Sequence, residues 1–190
     1  MRSLGLVVVT LIAFSTTARA QDVDQPLFAA FKAFCADTDA SPDAVKSAVE
    51  AAGGKAMGGV SRAAPGGYIT SATWGITMGG RQLIISAGNS RNPYVPAVAG
   101  ALISCQITSS ADEDASASAI RKWVGIPPAP QSSPGLTFYS YQEEGSERKA
   151  ITNKADSDRL DAEGRLWTLM VMERSVTLAH FVRTAPGTSN

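Results

Sequence analysis

The chain has 190 residues and 19.8 kDa, with 17 basic residues, 17 acidic residues and one histidine. That length suits one domain or two small ones, and 44% hydrophobic against 18% charged residues argues against global disorder. A formal net charge of zero argues against a general nucleic-acid binder, and no polybasic cluster offers itself to an anionic membrane.

Residues 1–20 read as a cleaved secretory signal peptide. Arg2 supplies the positive start, residues 4–14 the apolar core, and Ala18-Arg19-Ala20 the small-residue cleavage pattern. The apolar run falls short of the about 20 residues that a membrane span needs. Cleavage after Ala20 removes Arg2 and Arg19 and leaves 15 basic against 17 acidic residues over 170 positions. The expected product is a soluble periplasmic or secreted protein with no stable membrane insertion. The short leader and alanine-rich composition point to a bacterial source.

Residues 26–38 place Leu27, Phe28, Phe31, Phe34 and Cys35 at helical spacing. Ser41, Pro42 and Asp43 suit the cap, first position and first turn of a second helix, which Gly53-Gly54 ends. Residues 55–67, rich in glycine and small side chains, are expected to form a loop. Residues 68–78 alternate cleanly, and Gly79-Gly80 is a hairpin signal. Folding there sets Ile76 against Leu83, Trp74 against Ile85 and Ala72 against Ala87, all on one face. Residues 88–96 form a turn region, and residues 97–108 a third strand with Ile103, Cys105 and Ile107 inward.

Ser110 and Glu113 have capping-box spacing before a helix that Gly125 and Pro127 close, with Asp112 and Asp114 adding charge near its first turn. Residues 126–135 hold four prolines and make a stiff connector. Residues 136–144 and 147–153 form a hairpin around Gly145-Ser146 that brings Arg148 opposite Glu143. Residues 154–164 are polar and acidic, a surface loop. Residues 166–172 are apolar on both faces and suit a central strand, on which residues 175–184 pair back. Residues 186–190 are a flexible tail. The order is ααβββ-αββββ: an α+β chain with about three helices on a mainly antiparallel sheet of hairpins. A single domain over 21–185 is expected. The alternative is two subdomains, 26–108 and 110–185, joined near the proline-rich connector.

Two cysteines in an oxidising compartment permit one intramolecular bond, Cys35 to Cys105. His180, the single histidine, is the natural general base, but its strand face is shared with Val176, Leu178 and Val182, as for a structural residue. Asp156, Asp158 and Asp161 sit close enough in sequence to offer oxygens to calcium, without the regular spacing of an EF-hand loop. Ser146 and Lys149 match the spacing of serine–lysine hydrolases, yet straddle a hairpin turn that points them apart. No nucleotide fingerprint, nucleophile elbow or zinc set occurs, so no cofactor is implied. Phe138, Tyr139, Tyr141 and Tyr94 are the candidate interface aromatics. The expected function is a non-enzymatic exported binding or protein-interaction module whose partner is another extracytoplasmic protein. Its rival is a small extracytoplasmic hydrolase with a dispersed site at His180 or one of the three aspartates.

Overall fold

The computed structural model describes residues 25–64, 67–91, 100–110, 114–172 and 174–183. Helix α1 (Pro26–Phe31) runs on into a π-helical turn, Lys32–Ala36, and α2 (Pro42–Ala51) follows. Strands β1 (Lys55–Ala64), β2 (Gly67–Met78), β3 (Arg81–Arg91) and β4 (Gly100–Ser109) come next, then α3 (Asp114–Val124). The second half adds β5 (Leu136–Glu144), β6 (Glu147–Ala150), α4 (Lys154–Glu163), β7 (Trp167–Met172) and β8 (Ser175–Arg183). The eight strands form one sheet in the order β1-β2-β3-β4-β8-β7-β5-β6. Every neighbouring pair is antiparallel. The class is α+β, with four helices among the described residues where the sequence suggested about three. None of them is long and apolar enough to cross a membrane.

The apolar pattern explains the layering. Leu27, Ala30, Phe31, Phe34 and Cys35 all lie on the buried stripe of the first helix. They pack with Val45 and Val49 of α2 and Ile120 and Val124 of α3 against one face of the sheet. That face presents alternate residues of each strand, as a pleated sheet must: Trp74 and Ile76, Leu83 and Ile85, Cys105 and Ile107, Val176 and Leu178. Cys35 and Cys105 are joined, with their Cα atoms 5.4 Å apart. The hairpin at Gly79-Gly80 has the register read from sequence, with Ile76 opposite Leu83, Trp74 opposite Ile85 and Ala72 opposite Ala87. The hairpin at Gly145-Ser146 sets Glu143 opposite Arg148, and their side chains pair at 3.2 Å. Strands β4 and β8 pair from Gly100–Arg183 to Thr108–Ser175, so both halves of the chain build the same sheet.

Two expected loops are regular elements. Residues 55–67 are not a loop: Lys55–Ala64 form β1, at the edge of the sheet, and Gly67 opens β2. An edge strand with little surface to bury needs no apolar alternation, which is why the periodicity is missing. Its small residues have a local cause: a Cβ on Gly59 runs into the Ser71 carbonyl of β2. Residues 154–164 are not a loop either but mainly α4. Asn153 caps it by accepting from the Asp156 N–H at 2.8 Å, and Gly164 ends it in the left-handed region. Lys154–Asp158 and Arg159–Glu163 pairs one turn apart line its surface. Leu160 is its single fully buried residue, so no 3.6-residue stripe announces it. The second strand of the Gly145 hairpin is also shorter than expected, ending at Ala150. The signal segment 1–20, Tyr94, Asp112, the Glu113 half of the capping box and the tail 186–190 lie outside the described residues.

Candidate functional site

Four places in the fold bring together groups with chemistry: the surroundings of His180, the carboxylates of α4, a groove beside α2, and the β1–β3 end of the sheet.

His180 lies in a cross-strand row with Trp167 of β7 and Tyr141 of β5. The row is a ladder of rings. His180 stacks on Trp167 with centroids 3.8 Å apart, and Trp167 lies parallel to Tyr141 at 6.4 Å. The guanidinium of Arg148 continues it, 5.5 Å from the Tyr141 ring and 3.8 Å from that of Trp123. Trp123 meets Phe31 edge to face at 5.2 Å. Six residues from six elements are thus clamped in one line from β8 to α1. Nε2 of His180 sits 3.1 Å from the backbone carbonyl of Asp39. Asp39 and Ala40 are both non-glycine residues in the left-handed region, each with φ 53°, a conformation that costs about 1 kcal/mol or more apiece. The imidazole therefore holds a strained turn, with one ring face on Trp167 and one nitrogen on a carbonyl.

Arg148 anchors the other end. It donates to the Trp123 carbonyl at 3.0 Å and to Glu143 at 3.2 Å while stacking on two rings. Lysine reproduces the charge but not the planar fork. We expect Arg148→Ala to cost about 2 kcal/mol, adding a hydrogen bond to a cation–π contact, and Arg148→Lys to recover about half. Denaturant melts of the two variants check this, and equal stabilities for them refute it.

Burial pushes the Tyr141 hydroxyl well above its ordinary value of 10.0, with the Arg148 charge offsetting only part of the effect. Burial moves Tyr139 in the same direction. A phenol with a raised folded pKa stabilises the fold fully below its unfolded value. That contribution is lost as pH rises, because the unfolded chain releases the proton first. Stability should therefore fall as pH climbs past 10, and Tyr141→Phe should flatten that fall in pH-dependent melts, leaving the Tyr139 share. An unchanged alkaline slope in Tyr141→Phe contradicts it.

The aspartates of α4 do not converge. Asp156 and Asp158 are two residues apart on a helix and so about 200° apart around its axis. Asp156 accepts from Asn153 and Arg159, which hold its carboxyl below the ordinary range, and Asp158 pairs with Lys154 at 2.6 Å. Burial, aided by the charge of Asp158, raises Asp161. Among the described residues no group of three His, Cys, Asp or Glu side chains is placed to hold a metal ion. Ser146 lies in the tight turn between β5 and β6, and Lys149 two residues into β6.

A groove of about 260 Å³ runs between the start of α2 and the β2–β3 pair, with Trp74 and Ala87 in its floor and Asp43 and Lys46 along α2. Asn89 also lines it, and its Oδ1 is buried without a hydrogen-bond partner. Tyr139 and Tyr141 are core residues at 1% exposure, whereas Phe138 is half-buried.

The β1–β3 end of the sheet is different. Met57, Val60, Ile69 and Ile84 are 63%, 54%, 52% and 43% exposed. Ile69 and Ile84 alternate with the core-facing residues of β2 and β3, so they lie on the face turned away from the helices. Val60 and Arg62 join them there, opposite Ser71 and Ile69, and the side chain of Met57 lies over Gly75. Charge sets this end apart too. Between residues 51 and 111 the chain has Lys55, Arg62, Arg81 and Arg91 and not one Asp or Glu. This surface was hidden from sequence reasoning because β1 read as a loop. The acid-free run was a signal that could have found it.

Comparison of the chain with protein-family models, curated proteins and solved structures finds no match.

Proposed function

We propose that this chain is an exported, non-enzymatic interaction module that binds another extracytoplasmic protein through the β1–β3 end of its sheet. The observation that carries the reading is the cluster of Met57, Val60, Ile69 and Ile84, four large apolar side chains exposed on neighbouring strands. Isolated exposed apolar residues are ordinary, but a grouped set marks a contact surface. Export rests on the signal pattern of residues 1–20. The Cys35–Cys105 bond suits the oxidising compartment that export reaches. The chemistry around His180 and α4 favours structure over catalysis, since His180, Asp156 and Asp158 are engaged in stacking, capping or ion pairing.

Photo-crosslinking residues placed at Met57, Ile69 and Ile84, with one at exposed Glu50 of α2 as control, test the proposal in the producing cell. We expect one discrete adduct from the three sheet positions and none from Glu50. Equal labelling from Glu50 overturns the reading. So does hydrolysis of an ester, glycan or peptide panel that is lost in His180→Ala.

A further inference from the structure

Resting on that reading, we infer that the partner contributes an extended acidic segment, which adds to the free edge of β1 as a ninth strand.

The backbone supplies the first argument. β1 is ten residues long and, among the described residues, pairs only with β2. Every other N–H and C=O along its far side therefore points away from the sheet, a ready template for another strand. The residues from Lys55 to Ala63 are all exposed. The opposite edge offers much less, because β6 has four residues.

Side chains supply the second. Lys55, Val60 and Arg62 pair with Gly75, Ser71 and Ile69 of β2, on the face that also carries Met57. Moving along the strand, that face reads cation, apolar, apolar, cation. A strand added beside it brings its own side chains to within about 5 Å of these at Cβ. The matching sequence is acidic-x-apolar-x-apolar-x-acidic, spanning about seven residues at the usual strand rise. This pattern reads the same in both directions, so it fits a parallel or an antiparallel addition.

Charge decides the occupant. A second copy pairing through β1 brings Lys55 and Arg62 of one chain toward the same two cations of the other. Pairing β1 with the β6 edge meets Arg148 and Lys149 alongside a single strand acid, Glu147. Neither offers the negative charge that an acid-free surface calls for. A β-bulge between Ala56 and Gly58 and the two flanking cations are devices that discourage indiscriminate edge pairing. Against an acidic strand the same cations attract. Selectivity thus comes from repelling the wrong strands as much as from holding the right one.

The test uses the purified, oxidised protein and three capped peptides in titration calorimetry. The first has Glu at both ends of the pattern, Val at the two apolar sites and Thr between. The second has Lys in place of Glu. The third is the acidic peptide with its alternate amides N-methylated. The acidic peptide should bind about tenfold more tightly than the other two, and more weakly as salt rises. It should also slow hydrogen exchange along β1. Lys55→Glu/Arg62→Glu should reverse the preference in favour of the Lys peptide. Both side chains are exposed at the edge, so the melting temperature of that variant should stay put and report an intact fold. Equal binding of the acidic and Lys peptides, or of the N-methylated and unmodified ones, overturns strand addition. Concentration-dependent dimerisation that the acidic peptide does not disturb overturns it in favour of a second copy. If the crosslinks from Met57, Ile69 and Ile84 persist while the peptides fail, the interaction reading stands and strand addition falls. If both fail, both readings fall.

Discussion

Reducing the Cys35–Cys105 bond should lower the melting temperature by about 10 °C. The bond joins residues 70 apart in sequence. In the chain-entropy account a closed loop of that size restricts the unfolded ensemble by about 4 kcal/mol. For a chain of this size, each kcal/mol moves the midpoint by about 2–4 °C. Both sulfurs belong to residues with no exposed surface, so the loss should develop slowly under mild reductant and quickly once the chain is unfolded. Cys35→Ser/Cys105→Ser should reproduce it without reductant. The damage should concentrate at the π-helical turn, which the bond ties to β4, and at the Asp39–Ala40 turn that follows. Hydrogen exchange will show whether those segments open first. A melt indifferent to reductant, or two labelled thiols in the unfolded and unreduced protein, refutes the bond.

Phe31→Ala should cost about 3–5 kcal/mol, the range for deleting a buried aromatic ring. Phe31 is wholly buried and stands edge-on to Trp123 at 85°. It thereby ties α1 to α3, the two helices from either side of the β1–β4 meander. Phe31→Leu keeps most of the volume and should cost about 1.5 kcal/mol or less. Because Trp123 also lies under the Arg148 guanidinium, Phe31→Ala and Arg148→Ala share a partner. Their effects should depart from additivity in a double-mutant cycle. Additive losses, or a loss below about 1 kcal/mol for Phe31→Ala, contradict the picture of a continuous clamp.

What could be read from sequence follows what each element buries. The β2–β3 hairpin declared its register because Trp74, Ile76, Leu83 and Ile85 must all reach the same core, and a slip of one residue turns them to solvent. The cysteine pair was legible from the even count and the expected compartment. β1 and α4 were not, for a common reason: each buries little. Strand β1 is held by backbone pairing at an edge, and α4 by its caps and surface ion pairs around one buried leucine. Patterning carries no trace of elements whose stability comes from backbone and polar groups. The His180 ladder was also invisible, because it joins β8, β7, β5, β6, α3 and α1 across the sheet. Its histidine was correctly read as sharing a face with Val176 and Leu178. That the imidazole also steadies Asp39 required the fold.

The central position of β8 bears on how the molecule is made. It is the last of the eight strands among the described residues, yet it lies between β4 and β7. A chain delivered from its N-terminus can therefore assemble two separate half-sheets, β1–β4 and β5–β7, while neither can join the other. Each waits with a bare hydrogen-bonding edge and half of an apolar face until residues 175–183 arrive. Such late, long-range closure slows folding and leaves sticky intermediates in the interval.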